Sequence, residues 1–156
     1  MAAPTPTARV TPNGIPLKSG HPTKVTIARD TDISFWEVEI TPVGLEGGEP
    51  IDQTTMHNVT VVTRAEGDLI DVTPLTGTGA YDPALLSQAF QCINQPSVIT
   101  ETYQDGSTYC YHGYLRSLIR QSHVRGQQPR VAFTIVPTNW DGTAEQVPVL
   151  TSVAGT

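Results

Sequence analysis

Charge is scarce in these 156 residues: Asp, Glu, Lys and Arg together make up 15%. Thr and Val are frequent instead, and Pro and Gly number 13 each, a composition that favours β structure. Only two cysteines are present, so there is no disulfide framework. Cys92 and Cys110 read as small reduced core residues, to be bridged only if a helix carrying the first packs directly over a strand carrying the second. No run of about 18 apolar residues occurs, which excludes a membrane-spanning helix. The opening M-A-A-P-T-P-T-A-R has no apolar stretch of the kind a signal peptide needs, so the expectation is folding in a cytoplasm. On that expectation the glycosylation sequon Asn58-Val59-Thr60 is a chance match.

Catalytic chemistry is missing too. His21, His57, His112 and His123 are scattered, with no metal-ligand spacing. Asp30-x-Asp32-x-Ser34 begins like a calcium loop, but Phe35 stands where the glycine belongs and Thr41 where the glutamate belongs. No G-x-S-x-G, phosphate loop or G-x-G-x-x-G is present. The sequence assigns no catalytic residue, metal ligand or cofactor, and the expectation is a protein that is not an enzyme.

What is there begins with Tyr81–Leu115. Asp82 suits an N-cap and Pro83 the first helical position. Leu86, Ala89, Phe90 and Ile93 recur with helical spacing, which predicts a helix over about 82–94, stopped by Asn94 and Pro96. Two Thr/Tyr/Ile-rich runs around Asp105-Gly106 predict a hairpin. A two-residue turn there pairs Glu101 with Cys110, Thr102 with Tyr109 and Tyr103 with Thr108. Both faces of this hairpin are semi-apolar. Tyr103, Tyr109 and Tyr111 should therefore divide between the protomer's own core and a subunit contact.

Further strands surround this unit. Lys24–Arg29 alternates with Val25 and Ile27 inward, and Arg130–Val136 with Val131, Phe133 and Ile135 inward. In Ile33–Thr41, Trp36, Val38 and Ile40 fall on one face, expected inward; Glu37 and Glu39 then project together from the outer face. Pro42–Thr55 reads as a long loop, rich in glycine and acids, and loops that long are uncommon in compact domains. His57–Arg64 reads as a strand. Leu69–Ala80 holds one or two strands broken at Pro74, with an edge or bend at Gly77 and Gly79. Residues 1–23 and 138–156 read as extended arms around a 24–137 domain, suited to adding strands to the edges of neighbours.

Charge is segregated. Residues 1–29 carry +4, residues 30–105 carry thirteen acids and one base, and residues 106–156 carry +2. An acidic middle lacks the basic footprint that nucleic-acid capture requires.

Taken in order, several segments resemble one family. They are I-D-Q-T-T-M-H-N-V-T, then A-Y-D-P-A before a helix, then I-T-x-x-x-x-D-G-S-T-x-x-x-x-G-Y-L, then Q-Q-P-R-V-A-F-T-I-V-P-T-N-W-D. The ordered set resembles the major tail tube proteins of long-tailed (siphovirus-type) bacteriophages, over roughly residues 24–141. The resemblance implies a mainly β fold, an antiparallel sandwich or small barrel with one flanking helix. It implies a structural virion protein, made in the host cytoplasm, whose six copies form a ring and whose rings stack into a hollow tail tube. DNA would pass through during genome ejection without specific binding. Other tail proteins (tape measure, terminator, distal tail) would be partners. In this frame Glu37 and Glu39 are candidates to line the lumen. Gly44, Glu46, Gly47, Gly48, Glu49 and Asp52 are candidates for a loop that reaches the adjacent ring, and Tyr103, Tyr109 and Tyr111 for the subunit interface. The alternatives are a tail terminator, a capsid decoration protein, or a monomeric β-sandwich binding or adhesion module.

Overall fold

A computed structural model describes residues 23–29 and 32–152. All of the expected N-terminal arm but Thr23 lies outside them, as do residues 153–156. The order is β1 (Lys24–Ile27), β2 (Ile33–Ser34), β3 (Glu37–Thr41), β4 (Leu45–Gly47), β5 (Ile51–Asp52), β6 (Arg64–Ala65), β7 (Ile70–Val72), β8 (Leu75–Ala80), α1 (Pro83–Phe90), β9 (Ser97–Thr102), β10 (Thr108–Arg120), β11 (Arg130–Pro137) and β12 (Val149–Thr151). The fold is mainly β and antiparallel, with a single helix among the described residues.

The main sheet runs β2-β1-β9-β10-β11-β8-β3, with β12 added beside β10. Its two ends, β2 and β3, are one stretch of chain interrupted at Phe35-Trp36. The sheet therefore wraps round on itself into a small barrel. Trp36 holds the bend, its carbonyl accepting from the Ala80 N–H at 2.8 Å. Inside lie Val25 and Ile27 from β1, Ile99 from β9, Leu115 from β10, Val131, Phe133 and Ile135 from β11, and Leu75 from β8. The alternation of K-V-T-I and R-V-A-F-T-I-V places these side chains as expected.

Phe133 is the centre of this core. Its ring stacks on Phe35, centroids 4.4 Å apart and planes 9° from parallel. Gly77 makes room for it: a Cβ there would come within 2.6 Å of the Phe133 ring. Gly77 and Gly79 accordingly mark neither an edge nor a bend. They lie in β8, between β11 and β3, where the ring and the Trp36 backbone press closest.

Two β-bulges re-phase the alternation. On β10 the register shifts between Leu115 and Ser117, so Leu115 and Leu118, three apart, both point inward. On β3, Glu37 faces Gly79 and Glu39 faces Thr78, leaving Val38 as the extra residue. The expected facing of Ile33–Thr41 fails before this bulge and holds after it, with Ile40 inward and Glu39 outward. Phe35 goes inward, Ile40 packs partly against the core, and Trp36 stands 67% exposed.

The hairpin differs by one residue. Thr102 pairs with Thr108, Glu101 with Tyr109 and Thr100 with Cys110. The Tyr103 N–H donates to the Ser107 carbonyl, leaving three loop residues, and Gly106 takes φ +84°. This is a turn completed by a left-handed glycine, the usual three-residue solution. A one-residue slip moves every side chain to the opposite face. It puts Glu101 inside the barrel.

Helix α1 starts as expected, with the Asp82 carboxylate accepting from the Ala84 N–H at 3.0 Å and Pro83 in the first turn. It ends at Phe90, and a turn follows to Asn94, whose φ is +59°. Its buried stripe is narrow, Leu86 and Ala89, so Phe90 stays exposed. Cys92 and Cys110 are free thiols. The C-terminal segment is less of an arm than expected, since β12 pairs with Thr108–Cys110 of its own chain.

Replacing Phe133 by Ala should cost about 3–5 kcal/mol of unfolding free energy, the usual range for a fully buried aromatic. Urea titration checks this, and a loss below about 1 kcal/mol would mean that the barrel centre lies elsewhere.

Candidate assembly surface

Residues 42–74 leave the barrel and return as one long ribbon. At its base β4 pairs with β7, Leu45 opposite Val72; further out β5 pairs with β6, Ile51 opposite Ala65. Sequence reasoning split this unit into a loop at 42–55 and a strand at 57–64. The expected loop is the outgoing half of the ribbon, and most of the expected strand is its turn. Thr54, Thr55, Asn58 and Thr63 explain why: their side chains satisfy backbone groups that a ladder would otherwise take up. The Thr55 N–H donates to Asn58 Oδ1 at 3.0 Å and the Thr63 N–H to Thr54 Oγ1 at 3.1 Å, while Asn58 Nδ2 donates to the Val61 carbonyl at 3.2 Å.

Gly44, Glu46, Gly47, Gly48, Glu49 and Asp52 all fall on the outgoing half. The Gly44 N–H donates to Thr73 Oγ1 at 2.7 Å, pinning the root. Gly48 meets Gly67 so closely that a Cβ on Gly67 would come within 2.6 Å of the Gly48 carbonyl carbon. The two halves of the ribbon can touch there only because both residues are glycine. Asp52 accepts from the Thr54 N–H, and hydrogen bonds from Thr54 hold its carboxyl below the usual range.

The ribbon has two chemistries. Its shaft carries Glu46, Glu49, Asp52, Glu66, Asp68 and Asp71 against the single base Arg64, with Glu46 directly opposite Asp71. Like charges so placed destabilise a ladder. Its tip, residues 53–63, carries no acid and presents Met56 and Val59 to solvent essentially in full. An apolar knob on an acidic stalk suits a surface built to be covered.

The expected lumen pair separates. Glu37 turns back across the barrel seam, where its Oε1 accepts from the Val25 N–H at 2.8 Å. Burial there pushes its carboxyl above the ordinary range, against the pull of the Val25 hydrogen bond. Glu39, on the opposite face of β3, is exposed. The two carboxylates do not project side by side as the unbroken alternation implied.

The three tyrosines do not divide either. Tyr109 and Tyr111 are buried inside, and Tyr103 packs partly against the same core. They surround Glu101, whose side chain is fully buried. Tyr103 donates its hydroxyl to Glu101 Oε2 at 2.7 Å, while Glu101 Oε1 and the Tyr109 and Tyr111 hydroxyls have no partner at hydrogen-bonding geometry among the described residues. Desolvation raises the Glu101 carboxyl above its ordinary 4.5, and the nearby Tyr103 hydroxyl, Val43 amide and Tyr111 hydroxyl pull it only part of the way back. Burial and this carboxyl push the Tyr103 and Tyr111 phenols up. No sequence signal separates a buried glutamate from a solvated one when a single hairpin residue sets the register.

No group of three or more His, Cys, Asp or Glu side chains able to hold a metal occurs among the described residues, and no helix among them is long and apolar enough to cross a membrane.

The sequence matches no family model and no curated protein. Solved structures do share the fold. A chain in the six-fold symmetrised baseplate of the anti-feeding prophage matches with a TM-score of 0.58 at 10% identity, over 97% of this chain and 98% of that one. A chain in the tail of an empty gene transfer agent particle, refined helically with C6 symmetry, matches with a TM-score of 0.55 at 9% identity, over 88% and 100%. A chain in the extended sheath–tube complex of an extracellular contractile injection system, PVC, matches with a TM-score of 0.53 at 17% identity, over 84% and 88%. The fold is thus that of chains found in tails and baseplates of phage-like particles.

The raised Glu101 carboxyl makes stability depend on pH. The folded chain holds this proton to higher pH than the unfolded chain does. Stability is therefore fullest below the ordinary carboxyl value and falls as pH rises through the raised one. Glu101→Gln should flatten that fall. It should also stabilise the protein at pH 7 by about 1.4 kcal/mol for each unit of the raise, and converge with the native protein below about pH 4. Urea unfolding across pH 3–8 tests this; parallel curves would contradict it.

Proposed function

We propose that this chain is the structural subunit of a phage-type tail tube, assembling through six-copy rings that stack along an axis. The observation that carries the reading is the pairing of a tail-particle fold with a projecting ribbon whose apolar tip is covered by none of the described residues. The resemblance in sequence order to siphovirus tail tube proteins supports the same reading, and so does the acidic balance of the chain. The ribbon would reach the adjacent ring.

The lumen role passes to Glu39, the exposed member of the pair. Acidic side chains along a conduit repel phosphate, so DNA would slide through without the Lys/Arg neutralisation that makes it bind. The tape measure, terminator and distal tail proteins would be partners at the inside and the ends of such a tube. The reading involves no enzymatic step.

Sedimentation velocity over rising protein concentration tests the assembly. Species that grow past one ring support the reading, a strict monomer contradicts it, and growth that halts at a single ring indicates a terminator instead. Glu39→Lys tests the conduit. It should leave assembly intact and lower genome delivery in a phage complementation assay; unchanged delivery would remove Glu39 from the lumen.

A further inference from the structure

A cleft of about 260 Å³ lies where the base of the ribbon meets the segment before β12. Leu45, Leu69, Ile70 and Val72 form one wall, Val147 and Pro148 the other. Leu69 and Val147 are among the most exposed large apolar residues described, at 79% and 76%. Asn139, also on the wall, keeps a buried Oδ1 with no hydrogen-bond donor. Asp68 and Glu145 stand on the rim.

We propose that this cleft is the seat for the ribbon tip of a second copy of the chain, an inference that rests on the stacked-tube reading. The tip offers what the cleft lacks. Met56 and Val59 are exposed apolar side chains of a size the cleft accommodates. The tip carries no acid to oppose Asp68 and Glu145. The Thr and Asn hydrogen bonds already fix its shape, so little chain freedom is lost on docking.

The tip does not fill the cleft of its own chain, because the ribbon carries it outward from the Leu45–Val72 base pair, past the Asp52–Arg64 pair, before turning back. Tip and seat are different patches of one surface. Their contact is therefore head-to-tail, and in a stack, where successive copies are displaced along the axis, it runs on from copy to copy instead of closing. The reach is bounded. Twelve residues separate Leu45 from His57, and at about 3.3 Å each the tip of one copy lies within roughly 40 Å of its own cleft. Successive copies in the stack are therefore no farther apart than that.

The test uses two full-length variants, Val59→Asp at the tip and Leu69→Asp in the cleft. Both sites are exposed, so melting curves should match the native protein. Each variant alone should stop growing, with the threshold concentration for stacking raised about a hundredfold or more, because each join would bury an unpaired carboxylate. Mixed together they should form one join and no more, since the intact tip of the Leu69→Asp variant still fits the intact cleft of the Val59→Asp variant. Tubes from either variant alone at the native threshold overturn the seat while leaving the tube reading standing, as does a mixture that never joins. A native protein that remains monomeric overturns the tube reading itself. An axial repeat well above roughly 40 Å in native tubes puts the tip out of reach of the cleft, and also overturns the seat.

Discussion

The whole arrangement depends on one stretch of chain serving both ends of a sheet. Ile33–Ser34 pairs with β1, Glu37–Thr41 pairs with β8, and the bend at Phe35-Trp36 carries the backbone between them. The Glu37 carboxylate then takes up the Val25 N–H, which the short β2 leaves without a ladder partner. Closure turns the inner faces of all these strands toward a single interior. The Phe35–Phe133 stack fills it, and Gly77 is needed to admit the stack. The same closure traps Glu101 beneath three tyrosines, at a cost in desolvation that the Tyr103 hydroxyl only partly offsets.

A closed barrel has consequences for association. Open sheet edges are the ordinary route by which β proteins add strands to one another, and here the terminal strands of the sheet are joined through the chain itself. Even the extra strand near the C-terminus is spent on its own protomer. What projects from the barrel instead is the 42–74 ribbon. Its shaft is acidic, and its tip holds apolar side chains that none of the described residues covers.

Much of the fold was legible from alternation and caps. Val25 and Ile27, the Val131-Phe133-Ile135 set and the Asp82–Pro83 helix start all rest on local rules that tertiary contacts did not override. The misses have shared physical causes. A bulge broke the period-two pattern, Val38 separating Glu37 from Glu39, and it leaves no mark in composition. The hairpin register turned on whether Asp105-Gly106 was the whole turn or its last two residues, and that single residue decided whether Glu101 and the tyrosines faced inward. His57–Arg64 has strand-like composition, yet Thr and Asn side chains there bond the backbone locally and make a turn. The candidate surface was legible in outline, since the outgoing half of the ribbon was singled out. Its true extent, to residue 74, depended on pairings between residues more than twenty apart.

The central claim is that copies of this chain form hollow rings that stack. The most direct measurement is an end-on class average of the assembled, purified protein by electron microscopy. The account predicts a six-fold ring around an open centre, with side views extending through many identical layers. A compact particle with no central channel, or a rotational symmetry other than six, would contradict it.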